Sequence, residues 1–340
     1  MPQNRKKILI FGYFGFGNTG DELILLSLVT HLKTNAEITV LSQKPAETAA
    51  EFSVKAVNRW NPFVLLREIF RAGTVVGGGG GLFQNKTSTS SLFYYLLIIL
   101  LAKTIRRRVV LLSQGIGPVF GKLSRFFSGK IIGLADIITV RDYGSYEELK
   151  KFGLKKEPLL TADAVLALDF SAFKNGKAGG TKVGLALRKF DNYTHLLEEI
   201  NKVCRDLEKS EKMGFIVFPF HLPGDNILGG EVRTPARPEE FLREFSSLEL
   251  VVGARFHSLL LAYALGKPFI GLNVDTKIKY FCETHNMPCL ELNNINFKEN
   301  LKSSIIEMKG KKPDFTPEAD RKRVQDSFLL VFAPEFKKKD

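Results

Sequence analysis

Cysteine is scarce in this chain. Cys204, Cys282 and Cys289 are spread over 340 positions and none sits in a C-x-x-C pair. That excludes a disulfide framework and leaves reduced thiols, the state expected of a cytoplasmic protein. Histidine is equally thin: five residues, too dispersed for a metal cluster. No apolar run is long enough to cross a bilayer. The most apolar, LFYYLLIILLA from Leu92 to Ala102, has 11 residues where about 20 are needed. It reads as a buried helix, with contact between one face and a membrane as the second reading. A secretory leader is not expected, because MPQNRKK runs straight into ILIFG, a strand-sized segment. Nucleic-acid-binding motifs and short-period repeats are also missing.

What the chain has is positive charge, glycine and a βα rhythm. The formal net charge is +13. Residues 1–170 carry 22 Lys/Arg against 13 Asp/Glu, and the remainder 27 against 23. The basic excess therefore lies mainly in the first half, including KTIRRR at Lys103–Arg108. Such a surface favours anionic partners: nucleic acid, anionic lipid or a phosphorylated substrate. Short Val/Ile-rich runs alternate with helix-length segments, which predicts βα units and parallel sheets. FSAFKNGKAGGTK, Phe170–Lys182, breaks the rhythm like a linker, and a second α/β series follows. The expected architecture is two doubly wound Rossmann-like domains facing a cleft: residues 1–169, then 170–316. A terminal helix over 317–340 could pack back on the first domain.

GYFGFGNTGDE near the start contains Gly15, Gly17 and Gly20 in G-x-G-x-x-G spacing. A strand before and a helix after match a dinucleotide loop. Asp21 and Glu22, however, put carboxylates where a pyrophosphate would rest on the helix N-terminus. Thr19 and Glu22 have capping-box spacing instead. With Asn18 and Asp21 beside the glycines, the loop suits the hydroxyls of a polyhydroxylated ligand. Two further glycine loops are expected after strands: VVGGGGGLFQN, with Gly79, Gly80 and Gln84, and LLSQGIGP, with Gln114. Together the three are expected to line one cleft.

Arg141 in TVRDYGS ends a strand, where it can bind phosphate or carboxylate or pair locally with Asp142. In VVGARFHSLLL a strand runs into Arg255 and His257, and Asp275 and Lys277 follow the next strand. Two cations and an imidazole make a site for a small dianion, with histidine as acid or base. His31, His195, His221 and His285 lack such company and are expected to be structural or solvated.

These motifs, with GGGGLFQNKTS, SQGIGP, TADAVLAL, GARFHSL and DTKIKYF in order over most of residues 7–281, resemble the polysaccharide pyruvyl transferases, especially the CsaB type. The resemblance implies a glycosyltransferase-B-like fold. It also implies transfer of a pyruvyl group from phosphoenolpyruvate, a co-substrate, to a sugar of a bacterial cell-envelope polysaccharide or its lipid-linked precursor. A ketal forms and phosphate is released; no cofactor or metal is implied. Arg141, Arg255, His257 and Lys277 would hold phosphoenolpyruvate. Arg255-Phe256-His257 replaces the family's R-L-H, and Asp275-Thr276-Lys277 its aspartate-proline-lysine. LALRKF and PFHLPGD add Arg188 and Asp225 as further candidates. The acceptor is expected on the first domain, against Gly15, Gly17, Asn18, Gly20, Asp21, Gly79, Gly80, Gln84 and Gln114, with Asp21 as candidate base. The expected location is the cytoplasm, at the inner face of the membrane if the acceptor is lipid-linked. The enzyme-class alternative is a glycosyltransferase using a nucleotide sugar on the same fold. The non-enzyme alternative is a basic module for membranes or polyanions, and a dinucleotide enzyme comes third.

Overall fold

A computed structural model of the chain describes residues 5–173, 181–190, 195–222, 224–225, 231–235 and 237–333. Residues 1–4, most of the expected linker, residues 191–194, 223, 226–230 and 236, and the tail beyond residue 333 lie outside the described residues. The chain divides into two compact units, Met1–Leu168 with Glu318–Asp340, and Asp169–Pro317.

The first unit begins with β1 (Lys6–Phe11), α1 (Thr19–Leu32), β2 (Ala36–Ser42), α2 (Pro45–Phe52), β3 (Lys55–Asn58) and α3 (Pro62–Arg71). It continues through β4 (Thr74–Phe83), α4 (Thr89–Thr104), β5 (Arg108–Ile116), α5 (Lys122–Ile132), β6 (Ile137–Val140), α6 (Tyr143–Lys151) and β7 (Leu159–Leu160). All strands are parallel, in the order β3-β2-β1-β4-β5-β6-β7. Ile8 to Phe11 of β1 are all buried, as a sheet covered by helices on both faces requires. Leu65 and Ile69 of α3 and Leu96 and Ile99 of α4 share one core with Leu9, Phe11 and Leu111. Local signals fix the helix starts. Asn61 accepts from the N–H groups of Phe63 and Val64 ahead of Pro62, and Asp142 accepts from Ser145 N at 2.7 Å.

The sequence places a loop at the glycine run; the structure runs β4 through it. Successive glycines face opposite sides of the sheet, and neighbouring side chains fill the space their own would take. A Cβ on Gly77 would lie 2.8 Å from Leu111 Cδ2, and one on Gly78 2.5 Å from Leu28 Cδ1. Only Gly79 and Gly80 leave the extended conformation, with φ of 57° and 75°. The β4–β5 register then shifts between Gly80 and Phe83.

The second unit contains β8 (Lys182–Ala186), α7 (His195–Glu211), β9 (Gly214–Val217), β10 (Glu231–Val232), α8 (Pro238–Phe245), β11 (Leu250–Gly253) and α9 (Phe256–Ala264). β12 (Phe269–Leu272), α10 (Thr276–Thr284), β13 (Cys289–Leu290) and α11 (Phe297–Met308) complete it. Its parallel sheet runs β10-β9-β8-β11-β12-β13. Phe218 and Phe220 pack edge-on against Phe241 and Phe245 of α8, with centroids 5.2 to 6.0 Å apart.

α12 (Glu318–Leu329) belongs to the first unit. Gln325 Nε2 donates to Ala167 O at 3.1 Å, and Phe328 meets the His31 ring edge-on at 5.2 Å. Arg108 Nη2 donates to Leu330 O at 2.8 Å. No helix among the described residues is long and apolar enough to cross a membrane. Strand order reverses between β1 and β4 in the first unit and between β8 and β11 in the second. Those are the switch points at which open α/β sheets bind ligands.

Gly78→Val should overpack α1 against β4 and lower stability by about 1–3 kcal/mol. Urea denaturation checks this through a lower midpoint at unchanged slope.

Candidate active site

At the first switch point the loop after β1 turns directly into α1. Thr19 does not cap this helix. Asn18 does, its Oδ1 accepting from Gly20 N at 3.1 Å, and Gly20 is buried in the first turn. Nor does Glu22 close a box with Thr19; its Oε1 reaches past the cap to accept from Gly15 N at 2.8 Å. The capping-box expectation is thus corrected by one residue, with the glutamate tying down the glycine loop. Gly15 (φ 78°) packs against the end of β2, where a Cβ would fall 2.3 Å from Ser42 Oγ. Gly17 has a positive φ too, and its Cα faces open space.

Burial pushes Glu22 up to about 8, against the pull of the Gly15 N–H and helped by the Asp21 charge. Asp21 is 8% exposed, and burial pushes it up to about 7. Arg141 draws it back down, and Asp163 adds to the rise. Gly80 makes room for this carboxyl: a Cβ there would lie 2.8 Å from Asp21 Oδ1. Arg141 follows β6 and is buried. Its Nη1 donates to Asp163 Oδ2 at 3.0 Å and its Nε to Asp142 Oδ2 at 3.2 Å. Gly115 stays bare because the guanidinium lies 2.9 Å from where its Cβ would be. Burial alone would raise Asp142, but Arg141 and the Ser145 N–H outweigh it and hold that carboxyl low. This edge therefore offers a carboxyl poised near neutrality beside an arginine bound to two aspartates. Among the described residues no three His, Cys, Asp or Glu side chains converge as a metal site.

Two other expected acceptor contacts make internal hydrogen bonds. Gln114 is fully buried, its Nε2 donating to Gly77 O at 2.8 Å and Leu112 O at 2.9 Å. It braces β4 against β5 through Nε2, while its Oε1 is buried without a hydrogen-bond partner. Gln84 bonds to Thr87, through Nε2 to Oγ1 at 2.7 Å.

Sequence reasoning missed two residues here. Asp163 lay in a recognised motif, but its pairing with Arg141 spans 22 positions. Arg59 is buried, with Nη1 donating to Gly12 O at 2.8 Å and Nη2 to Tyr95 Oη at 3.1 Å. Its guanidinium lies 4.6 Å from the Tyr94 ring centre and 5.0 Å from those of Phe16 and Trp60. It holds the loop through backbone and ring faces, for which a lone arginine gives no sequence signal.

In the second unit, Arg188, Asp225, Arg255 and Asp275 lie beyond the carboxyl ends of β8, β9, β11 and β12. The register Ala186↔Gly253↔Gly271 brings three of these turns to one edge. Asp225 is fully buried and accepts from the N–H groups of Phe220 at 3.2 Å and His221 at 2.9 Å. The same carboxylate takes the Arg255 fork: Nε donates to Oδ2 at 2.9 Å, and Nη2 donates to Oδ1. Asp225, a secondary candidate from sequence, thereby orients Arg255. His257 lies in the first turn of α9, the helix that starts directly after Arg255. Asp275 caps α10 by accepting from Lys277 N at 3.0 Å, which sets Lys277 in that helix's first turn. The edge thus carries Arg255, His257 and Lys277 on two helix N-termini, a setting that attracts anions.

The fold has solved counterparts. The chain is similar to a UDP-GlcNAc 2-epimerase from Methanocaldococcus jannaschii, with a TM-score of 0.68 and 14% identity over 97% of this chain and 100% of that one. The corresponding enzyme from Neisseria meningitidis, bound to UDP-GlcNAc, gives 0.62 and 13%, covering 96% and 98%. A glycosyltransferase from Rickettsia africae gives 0.56 and 10%, covering 97% and 95%. With two parallel sheets and interleaved helices, the class is two Rossmann-like domains of the glycosyltransferase-B type. No curated protein matches the sequence. The family model of the polysaccharide pyruvyl transferases matches residues 18–276, and the chain belongs to that family.

Because Asp21 and Glu22 keep protons that the unfolded chain releases near pH 4, the native state binds more protons above that pH. Stability therefore falls from about pH 4 until both have ionised, near pH 8. Glu22→Gln should flatten the upper part of this fall, read as the thermal midpoint between pH 6 and 9.

Proposed function

We propose that this polysaccharide-modifying transferase is a pyruvyl transferase of the CsaB type. It moves the pyruvyl group of phosphoenolpyruvate onto a sugar of a cell-envelope polysaccharide or its lipid-linked precursor. The observation that carries the reading is the cationic edge of the second unit, where buried Asp225 fixes the Arg255 fork beside His257 and Lys277. A phosphate and a carboxylate on a three-carbon skeleton suit two cations on helix N-termini. Arg188 is a further cation on the same edge. The acceptor falls to the first unit, whose open Gly17 and near-neutral Asp21 suit a sugar hydroxyl. Arg141, which the family resemblance gives to phosphoenolpyruvate, is assigned here to tuning Asp21.

The chemistry balances without a cofactor. A proton adds to the methylene carbon of phosphoenolpyruvate, making C2 electrophilic and C3 a methyl group. One sugar hydroxyl bonds to C2, and the C2–O bond to phosphate breaks. A second hydroxyl closes the ketal on C2. Of the two hydroxyl protons, one replaces that consumed at C3 and the other leaves with hydrogen phosphate. His257 either delivers the proton or holds the phosphate. Asp21, about half ionised near pH 7, takes a proton from a hydroxyl.

The similarity to enzymes solved with UDP-GlcNAc favours a second reading, a nucleotide-sugar glycosyltransferase. Calorimetry separates the two: phosphoenolpyruvate should bind and UDP should not. Incubation with phosphoenolpyruvate and lipid-linked sugars should release phosphate and add the pyruvyl mass to the sugar. His257→Ala should lower that turnover by about 100-fold or more with the fold retained, and near-normal turnover would sink the assignment. Asp21→Asn should cut acceptor-dependent turnover by about 100-fold while changing phosphoenolpyruvate affinity less than about threefold.

A further inference from the structure

Helices α3, α4 and α5 form a layer on the first unit whose outer side is apolar. α3 packs on α4, and Phe93 of α4 meets Phe127 of α5 edge-on at 6.1 Å. α4 is hydrophobic all round. Its inner side buries Leu92, Leu96 and Ile99, while Phe93, Leu97 and Leu100 form an exposed stripe at i, i+4 and i+7. A helix covered on one side alone ordinarily carries polar residues on the other. α5 continues the surface with Leu123, 73% exposed, and Phe126, and α3 adds Phe63, 82% exposed. Twelve of the twenty exposed large hydrophobics among the described residues fall between Trp60 and Leu134. Scattered surface hydrophobics need no explanation; a concentration on three packed helices does.

The exposed charge on α4 and α5 is basic, while Glu68 of α3 pairs with Arg71 and Asp136, just past α5, pairs with Lys103. Ile69–Ala135 contains nine Lys/Arg and no Asp or Glu. Lys122, Arg125 and Lys130 of α5 are exposed between its apolar side chains, and Arg106 just beyond α4 is exposed as well. A second copy of the chain would bring the same cations to a self-complementary contact, where they repel. An anionic phospholipid surface accepts both features, since apolar side chains enter the acyl boundary while lysines and arginines stay with the phosphates.

We propose that the α3–α4–α5 face docks flat on an anionic phospholipid bilayer without spanning it. This goes beyond the transferase reading and does not rest on it, since vesicle binding involves no turnover. The test is flotation of the full chain with vesicles of phosphatidylglycerol and phosphatidylcholine, or of phosphatidylcholine alone. Recovery should be about tenfold or more higher with the anionic vesicles and should drop in high salt. Leu123→Glu/Phe126→Glu should lower it by about tenfold or more, with circular dichroism confirming the fold. If that variant misfolds, Lys122→Glu/Arg125→Glu/Lys130→Glu gives the same readout without touching an apolar residue. The proposal is overturned if the wild type ignores anionic vesicles, or if a folded variant floats undiminished. Sedimentation showing a dimer that the apolar substitutions dissolve, with no vesicle binding, would also overturn it.

Discussion

A guanidinium with almost no access to water needs a carboxylate beside it, and in the first unit that need organises the carboxyl edge of the sheet. Asp163 meets Arg141 at 3.0 Å while its other oxygen accepts from Val165 N, so one side chain serves the ion pair and the turn after β7. Asp142 likewise pairs with Arg141 and caps α6. Gly115 has no side chain because the guanidinium occupies that space. Asp21 feels both members of the pair with opposite sign, and what remains after they offset is mostly the effect of burial. Its proton affinity is thus a property of the whole cluster.

The second unit also pairs an arginine with an aspartate at its sheet edge, but whereas Arg141 and Asp163 are both enclosed, there only the anion is. Asp225 is fully enclosed and Arg255 only partly so. Enclosing the anion and leaving the cation at the rim presents positive charge outward, whereas enclosing Arg141 leaves Asp21 as the titrating group. The same two residue types therefore give one unit a carboxyl that titrates near neutrality and the other a partly exposed cation.

Much of this was legible in the residues. The βα rhythm predicted two parallel sheets, and the R-x-H and D-x-K turns fell at helix N-termini because strand-end polar residues before an apolar helix have few other places to go. The glycine run was misread as a loop. Glycine says that space is needed but not by whom, and Leu28, Leu111 and Phe11 come from elsewhere in the chain. Thr19 and Asn18 both suit a cap, and a one-residue choice turns on backbone angles no pattern reports. The bond from Gln114 to the Gly77 carbonyl spans 37 positions, which no local pattern shows. Arg59 was invisible for the same reason, since its distant partners come from two separate segments, Gly12 with Phe16 and Tyr94 with Tyr95.

The bare strand β4 also bears on how such a chain changes over generations. Its glycines are moulds of their neighbours, with Leu28 filling the space at Gly78 and the Asp21 carboxyl that at Gly80. No single enlargement from Gly77 to Gly80 is neutral unless the matching neighbour gives way at the same time. Drift at this strand must proceed by paired replacements. Related chains should therefore keep the glycines fixed or exchange them together with positions on α1, leaving a covariation between a featureless strand and the helix that bears the titrating aspartate.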